Sequence, residues 1–250
     1  MRLVAPILAY HAVHPDRQDV INVSPHRFAR QMQWLADHGF RGVSLQTYQK
    51  AVASQSPEAP RMVAITFDDG YLDNLTHALP ILQKHRFNAT IFIVPGRVGT
   101  GMIHDEAWLQ QFPSVPPAAY AYLDWSHLEL LQATGVELGS HTVTHPLLDQ
   151  LSLSEQESEI KESKRLLESR LNAPVTSFCY PAGHFTDDCL RFVREAGYGQ
   201  AVVTPYQSGQ IRDGEFTLKR AGLYRDDTLA RFVFKVSPLF DLFRAIRHAA

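Results

Sequence analysis

The stretch Met62-Val63-Ala64-Ile65-Thr66-Phe67-Asp68-Asp69-Gly70 decides the fold prediction. Its first six residues are mostly apolar and do not alternate with polar ones, which is typical of a buried strand in a parallel sheet. Two adjacent carboxylates, Asp68 and Asp69, follow at once. Like charges at a strand end cost folding free energy unless a cation compensates them, and a metal ion would do so. A second interpretation makes them a helix N-cap and a solvated carboxylate.

Predicted strands alternate with helices roughly eight times along the chain, which indicates a (β/α) barrel rather than an open sheet. The predicted strands cover residues 6–10, 41–45, 62–67, 89–94, 136–139, 175–179, 199–203 and 216–220. The predicted helices begin near residues 25, 46, 74, 125, 152, 187 and 227. The longest of them, 152–171, carries a predicted capping box made by Ser154 and Glu157.

The composition fits a single α/β domain covering residues 1–250, because 250 residues with 45% hydrophobic content can bury a sizeable core. A net charge of −2 gives no indication of a nucleic-acid partner. Cys179 and Cys189 cannot form a disulfide framework. No apolar run is long enough to span a bilayer and no convincing signal peptide begins the chain, so a cytoplasmic location is expected.

His141 and His145 form an HxxxH pair, which on a helix would place both imidazoles on one face. Gly139 and Ser140 precede the pair and Pro146 follows it, so a turn after a strand is the better prediction. The glutamate of the zinc-protease motif is absent. The spacing alone is also compatible with chance, since the chain contains 12 histidines.

Several candidate site residues directly follow predicted strands, where the loops of a barrel carry the chemistry. The residues that share this placement are His11, Asp68, Asp69, His141, His145 and Pro181. One carboxylate and two imidazoles form a common three-ligand metal set that leaves positions for water and substrate. Such a set favours Zn²⁺ and is compatible with Co²⁺, Ni²⁺, Fe²⁺ or Mn²⁺. The second aspartate would then be free to act as a base.

Together, the motifs at 66–70 (TFDDG) and 141–145 (HTVTH) resemble those of the polysaccharide deacetylase family, also called NodB-like or carbohydrate esterase family 4. The similarity extends from Pro6 to about Thr228. The opening PILAYH at 6–11 resembles the branch that acts on exopolysaccharides and related glycans. The resemblance implies a distorted, incomplete (β/α)7-type barrel, circularly permuted in this branch.

The resemblance also implies roles. One divalent metal ion would be held by three residues: Asp69, His141 and His145. Asp68 would be the general base for a water that attacks the acetyl group of an N-acetylated glycan or glycan precursor. The third motif, Tyr180-Pro181-Ala182, would contact the substrate and provide an oxyanion N–H at Ala182.

Two departures from the family pattern matter. The third motif of the family begins with an arginine that orients the base, but Cys179 occupies that position here. Arg220 is a candidate replacement for this arginine. Alternatively, Arg220 is a solvated arginine at a strand end. The late Leu-x-His motif that carries the general acid is absent, and His11 is the candidate for that role. Its alternative is a partly buried structural histidine.

Three functions are therefore compatible with the sequence. The first is a metal-dependent deacetylase of N-acetylated sugars. The second is a metal-dependent amidohydrolase acting on a small non-sugar amide or imide. The third is a catalytically silent carbohydrate-binding barrel.

An amphipathic, basic helix is predicted at about 238–250, which would either pack on its own domain or touch a membrane surface peripherally. The sequence does not indicate an oligomeric state.

Overall fold

The computed structural model describes residues 6–101, 109–203, 214–237 and 239–240. Within these residues, nine short strands form one sheet in which every ladder is parallel. The strands are β1 (Ile7–Tyr10), β2 (Arg41–Val43), β3 (Met62–Phe67), β4 (Thr90–Ile93), β5 (Glu137–Ser140), β6 (Ser177–Cys179), β7 (Gln200–Val203), β8 (Leu218–Lys219) and β9 (Ala221–Gly222).

Helices connect most of these strands and cover the outside of the sheet. They are α1 (Pro25–Asp37), α2 (Leu45–Ala53), α3 (Leu79–Lys84), α4 (Trp125–Ala133), α5 (Leu153–Leu171), α6 (Asp187–Glu195) and α7 (Leu229–Val236). A π-helical turn, Asn74–Ala78, runs directly into α3. This alternation confirms the predicted (β/α) architecture, although most predicted strands are one or two residues too long at their ends.

The central strand β3 has the bounds that its sequence predicts, and all six of its residues are buried. It pairs with β1 along one edge, and with β2 and β4 along the other. A strand with neighbours on both edges and side chains covered on both faces needs no polar alternation. The unbroken apolar run of β3 is therefore a direct consequence of its central place.

The sheet closes almost completely into a barrel through the segment that joins β8 and β9. The strand order is β8-β7-β6-β5-β4-β3-β1-β9, and only Arg220 separates β8 from β9 in the chain. One strand was predicted at 216–220; the structure instead divides the segment, pairing β8 with β7 and β9 with β1. If β8 and β9 are counted as one interrupted strand, the eight strands on this path become seven, which is the number in the predicted (β/α)7-type barrel.

Hydrophobic side chains fill both the space under the helices and the inside of the barrel. The larger cluster packs the sheet against α1, α5 and their neighbours. A second cluster includes Ala64, Phe92, Cys179 and Val202, which come from four different strands. Burial of this apolar surface is the main favourable contribution to folding, and it fixes the strand ends on which the polar residues lie.

The longest helix begins with a capping box, but not at the predicted residues. The Ser152 side chain accepts from the backbone N–H of Glu155, and the Glu155 carboxylate accepts from the N–H of Ser152 at 2.9 Å. The predicted pair, Ser154 and Glu157, lies two residues too far along the chain. Both pairs fit the same spacing rule, and only the backbone conformation at Ser152 distinguishes them.

No helix in the described part of the chain is long and apolar enough to cross a membrane. The amphipathic helix predicted at 238–250 lies outside the described residues except for residues 239–240.

The capping box gives a stability prediction. Ser152→Ala should lower the free energy of unfolding by about 1 kcal/mol, because the first turn of α5 loses its side-chain acceptor. Ser154→Ala is the matched control, since Ser154 lies inside the helix, and it should have little effect. Urea denaturation of both variants measures the difference. A larger loss for Ser154→Ala would contradict this assignment of the cap.

Candidate active site

The three predicted metal ligands lie together at the carboxyl ends of the strands. Ligand atoms of Asp69, His141 and His145 are all within 4.8 Å of one another. Asp69 follows β3 and both histidines follow β5, so the barrel brings distant parts of the sequence to one point. The two imidazole centroids are 4.8 Å apart, with the rings almost perpendicular.

His141 is oriented by two backbone contacts. The backbone N–H of His141 donates to the carbonyl of Ile93 at 2.8 Å, and the ring Nδ1 lies 2.7 Å from the carbonyl oxygen of Cys179. A carbonyl can only accept, so Nδ1 carries the proton and Nε2 keeps a lone pair for a metal. Burial lowers the pKa of His141 to about 4, so the ring is neutral near pH 7.

The loop between the two histidines is held by a residue that no sequence motif indicates. Glu159, on α5, accepts from the backbone N–H groups of Val143 at 2.7 Å and Thr144 at 2.9 Å. It also accepts from the Thr144 hydroxyl at 2.7 Å. From the other side, the N–H of Gly96 donates to the Val143 carbonyl at 2.9 Å, and a Cβ at position 96 would lie only 2.5 Å from that oxygen.

Backbone strain is concentrated in these loops. Four non-glycine residues of the predicted motifs have left-handed φ angles: Asp69 (72°), Thr142 (65°), His145 (66°) and Ala182 (51°). Each such conformation costs on the order of 1–3 kcal/mol and persists only where the surroundings impose it. Because this strain opposes folding, it indicates that the loops carrying the motifs are held in these conformations for a functional reason.

Asp68 is bound by Arg220 through two hydrogen bonds of 2.7 Å, one to each carboxylate oxygen. Asp68 is 1% exposed and Arg220 is fully buried, which excludes the solvated arginine considered from the sequence. Burial by itself would raise the pKa of Asp68. The charge and hydrogen bonds of Arg220 outweigh it and hold that pKa well below its ordinary value.

Arg220 also fills the space next to the position where the family motif has its arginine. Its Nη2 lies 3.1 Å from Sγ of Cys179, and its Nη1 donates to the Thr66 hydroxyl at 2.9 Å. Asp68, His141 and Cys179 form a second group that could hold a metal ion. However, Arg220 already binds both carboxylate oxygens of Asp68, and its Nη2 lies beside the Cys179 sulfur, so a guanidinium group occupies the space next to this second group.

Asp69 faces two cationic or potentially cationic groups through one oxygen. Its Oδ1 lies 3.4 Å from Nε2 of His145 and 3.4 Å from Nη1 of Arg97. Burial raises the pKa of Asp69, but the positive charges of His145 and the neighbouring histidines, which are protonated at low pH, and of Arg97 lower it by more, so the carboxylate is ionised near pH 7. Burial lowers the pKa of His145, so its ring is neutral at that pH. An ionised carboxylate beside two neutral imidazoles is the protonation state that a divalent cation requires of its ligands.

His11 lies beside Asp68, the predicted base, because β1 and β3 are neighbours. Tyr10 pairs with Phe67, and the N–H of Asp68 donates to the Tyr10 carbonyl at 3.0 Å. The next residues along the two strands are therefore adjacent, and Nε2 of His11 is 3.8 Å from Oδ2 of Asp68. The His11 side chain is 16% exposed, so the ring is reachable from solvent.

The third predicted motif follows β6. Pro181–Gly183 forms a single 3-10 turn, in which Ala182 is exposed and has its left-handed backbone conformation. The ring of Tyr180 is fully buried, with centroids 5.1 Å from Phe178 and 4.7 Å from Phe185. The Tyr180 side chain is therefore part of the core, and it is the turn after it that faces outward.

This arrangement can be compared with known proteins. The family model for polysaccharide deacetylases matches residues 55–201, more than half of the chain. The chain belongs to the polysaccharide deacetylase family. That membership confirms the resemblance in the TFDDG and HTVTH motifs, while the circular permutation expected for its branch stays a prediction.

Individual polysaccharide deacetylases are similar over most of the chain. The putative polysaccharide deacetylase YxkH of Bacillus subtilis (strain 168) is 27% identical over 215 residues, which are 86% of this chain and 70% of that protein. The poly-beta-1,6-N-acetyl-D-glucosamine N-deacetylase of Staphylococcus aureus (strain MSSA476) is 26% identical over 201 residues, and the match covers 74% of this chain and 63% of that enzyme.

A solved structure supports the same family fold. The Streptococcus pyogenes deacetylase PplD, in complex with acetate, has a TM-score of 0.77 and 26% sequence identity to this chain. The match covers 94% of this chain and 98% of that one. The NodB-like (β/α) barrel predicted from the sequence is therefore confirmed.

The ion pair between Asp68 and Arg220 gives a second stability prediction. Arg220→Met should lower the free energy of unfolding by about 3–5 kcal/mol, because it leaves a buried carboxylate without its partner. Combining it with Asp68→Asn removes that charge and should restore most of the loss. Arg165→Met, which breaks an exposed pair with Glu162, is the control and should change stability little.

Urea denaturation of the single, double and control variants measures these effects. Equal losses in Arg220→Met and in the double variant would show that the uncompensated charge is not the cause.

Proposed function

We propose that this protein is a metal-dependent hydrolase that removes N-acetyl groups from the sugar residues of a polysaccharide, oligosaccharide or glycan precursor. One observation carries the proposal: the donor atoms of Asp69, His141 and His145 lie within 4.8 Å of one another, next to a second, arginine-bound carboxylate. A carbohydrate-binding module has no use for such a carboxylate. The names of the relatives support the substrate class, since one acts on poly-N-acetylglucosamine.

Asp69, His141 and His145 fit a divalent cation and would hold it. When bound, the cation would supply Lewis-acid activation of water and of the acetyl carbonyl. Mixed carboxylate and imidazole ligands favour Zn²⁺, and Co²⁺, Ni²⁺, Fe²⁺ and Mn²⁺ remain compatible. The Cys179 carbonyl would keep the His141 ring in the required tautomer, because it occupies the proton on Nδ1.

Asp68 would act as the general base that accepts a proton from the attacking water. Arg220 contributes in two ways: its charge keeps the carboxylate ionised, and its two hydrogen bonds fix the carboxylate plane. The same contacts lower the basicity of Asp68. The proposal therefore assigns Arg220 to orientation and charge balance rather than to strengthening the base.

His11 would act as the general acid that protonates the departing amine as the carbon–nitrogen bond breaks. Its Nε2 is on the same side of the site as the base, 3.8 Å from Asp68. The backbone N–H of Ala182, in the exposed turn after β6, would donate to the oxygen that becomes negative during attack. Pro181 starts this turn, and its fixed φ angle restricts the turn's conformation.

Acetate release is the experiment that tests the proposed function. The purified protein, supplied in turn with each candidate metal, should release acetate from N-acetylglucosamine oligomers and lose that activity with a chelator. Asp68→Asn should lower kcat about 100- to 10,000-fold, because the general base is removed while the shape is kept. Thermal denaturation checks that this variant is folded.

Two results would contradict the proposal. Release from small amides or imides but from no acetylated sugar would favour the amidohydrolase alternative. Metal binding without hydrolysis of any of these substrates would favour the silent barrel. Full activity in Asp68→Asn would leave the substrate class in place but remove Asp68 from the mechanism.

Glu159 gives a separate prediction about the metal ligands. Glu159→Ala should weaken binding of added Zn²⁺ about 10- to 100-fold, because the loop between His141 and His145 loses three hydrogen bonds. Glu162→Ala, on the same helix but in an exposed pair with Arg165, is the matched control. Isothermal titration calorimetry measures both affinities, and equal values for the two variants would show that Glu159 does not position the ligands.

A further inference from the structure

The imidazole of His11 is fixed less directly than that of His141. Its Nε2 lies 3.8 Å from Oδ2 of Asp68, which is longer than a hydrogen bond. Its Nδ1 is buried and has no hydrogen-bond partner among the residues described. By contrast, Nδ1 of His141 donates to a backbone carbonyl at 2.7 Å. The placement of the His11 ring therefore depends on how its backbone is held.

That backbone is held by two consecutive residues at the start of the π-helical turn. Nδ2 of Asn74 donates to the His11 carbonyl at 2.8 Å and to Oδ1 of Asp73 at 2.9 Å. The same Asp73 oxygen accepts from the backbone N–H of Val13 at 2.9 Å. Asn74 and Asp73 are both buried, at 2% and 4% exposure. Two side chains thus bind the backbone on both sides of residue 12.

The position of this pair links the acid to the base. Asp73 and Asn74 follow the Asp68-Asp69 motif in the same loop, so the segment that carries the base also binds the segment that carries the acid. The π-helical turn Asn74–Ala78 adds one residue per turn relative to an α-helix, and such turns are frequent at functional sites. Here the turn begins at the residue that contacts the His11 carbonyl.

The Asp73 carboxylate has a cationic neighbour of its own. Nη1 of Arg17 lies 3.9 Å from its Oδ2, and Arg17 is also bound to Asp19 at 2.9 Å. The Arg17 guanidinium lies over the rings of Tyr71 and Tyr120, at 4.2 and 4.7 Å from their centroids. Arg17 belongs to the same loop as His11, so this network gives the loop a structural anchor that Asn74 does not provide.

We propose that Asn74 is a positioning residue for the general acid. Its hydrogen bond to the His11 carbonyl sets the direction of the His11 side chain, and this places Nε2 on the side of Asp68, where the leaving amine must take up its proton. Asp73 supports Asn74 and fixes the following peptide. This inference rests on the proposed function, because it assumes that His11 donates the proton.

A double-mutant cycle tests the inference with N-acetylglucosamine oligomers as substrate. Asn74→Ala should lower kcat roughly tenfold or more and leave KM nearly unchanged, since misplacing a reacting group affects the chemical step rather than binding. In a His11→Ala background, the same substitution should change kcat little, because the group that it positions is gone. Asn74→Ser provides a second variant that keeps a small polar side chain should the alanine variant fail to fold.

Asn88→Ala is the matched control. Asn88 also donates to a backbone carbonyl, that of Gly135 at 2.7 Å, but it lies just before β4, at the opposite end of the barrel. It should leave kcat unchanged in both backgrounds. Equal losses from Asn74→Ala with and without His11 would overturn the positioning role and leave a purely structural one. A wild-type protein that releases no acetate would instead refute the proposed function itself.

Discussion

The buried ion pair between Asp68 and Arg220 is the constraint on which the rest of the structure depends. A carboxylate that is 1% exposed costs several kcal/mol to desolvate unless a well-placed cation compensates it. Arg220 does so through two short hydrogen bonds, and it lies between the two short strands that close the barrel. The segment that closes the barrel by pairing with β7 and β1 therefore also carries the cation that sets the charge state of the candidate base.

The predictable part of the fold follows from local patterns. The bounds of β3 were predicted correctly because a six-residue apolar run followed by charges leaves little choice. Ser24 and Pro25 likewise mark the start of α1, where the Ser24 side chain accepts from the N–H of Arg27. The capping box of α5 was misplaced because Ser152-Leu153-Ser154-Glu155-Gln156-Glu157 satisfies the spacing rule twice, and sequence spacing does not encode which backbone conformation is adopted.

The candidate metal ligands could be predicted from the sequence, but the residues that hold their loops in place could not. Asp69, His141 and His145 carry recognisable motifs, and the family membership fixes the fold that brings such motifs together. Glu159 and Asn74 carry no motif. Glu159 binds the backbone of the loop after β5, and Asn74 binds the backbone just after β1. Both contacts exist only once the barrel has formed. A single sequence contains no local signal for such contacts.

The separation of the ion pair along the chain has a consequence for how the protein matures. Arg220 comes 152 positions after Asp68, and among the described residues β9 is the last strand along the chain. A chain is synthesised from its amino terminus, so a contact between residues far apart in sequence can form only after the later residue has been made. A ribosome-bound intermediate would therefore carry the central strand with its carboxylate still hydrated. Water can leave this carboxylate only when Arg220 has reached it, so completion of the barrel and desolvation of the candidate base coincide.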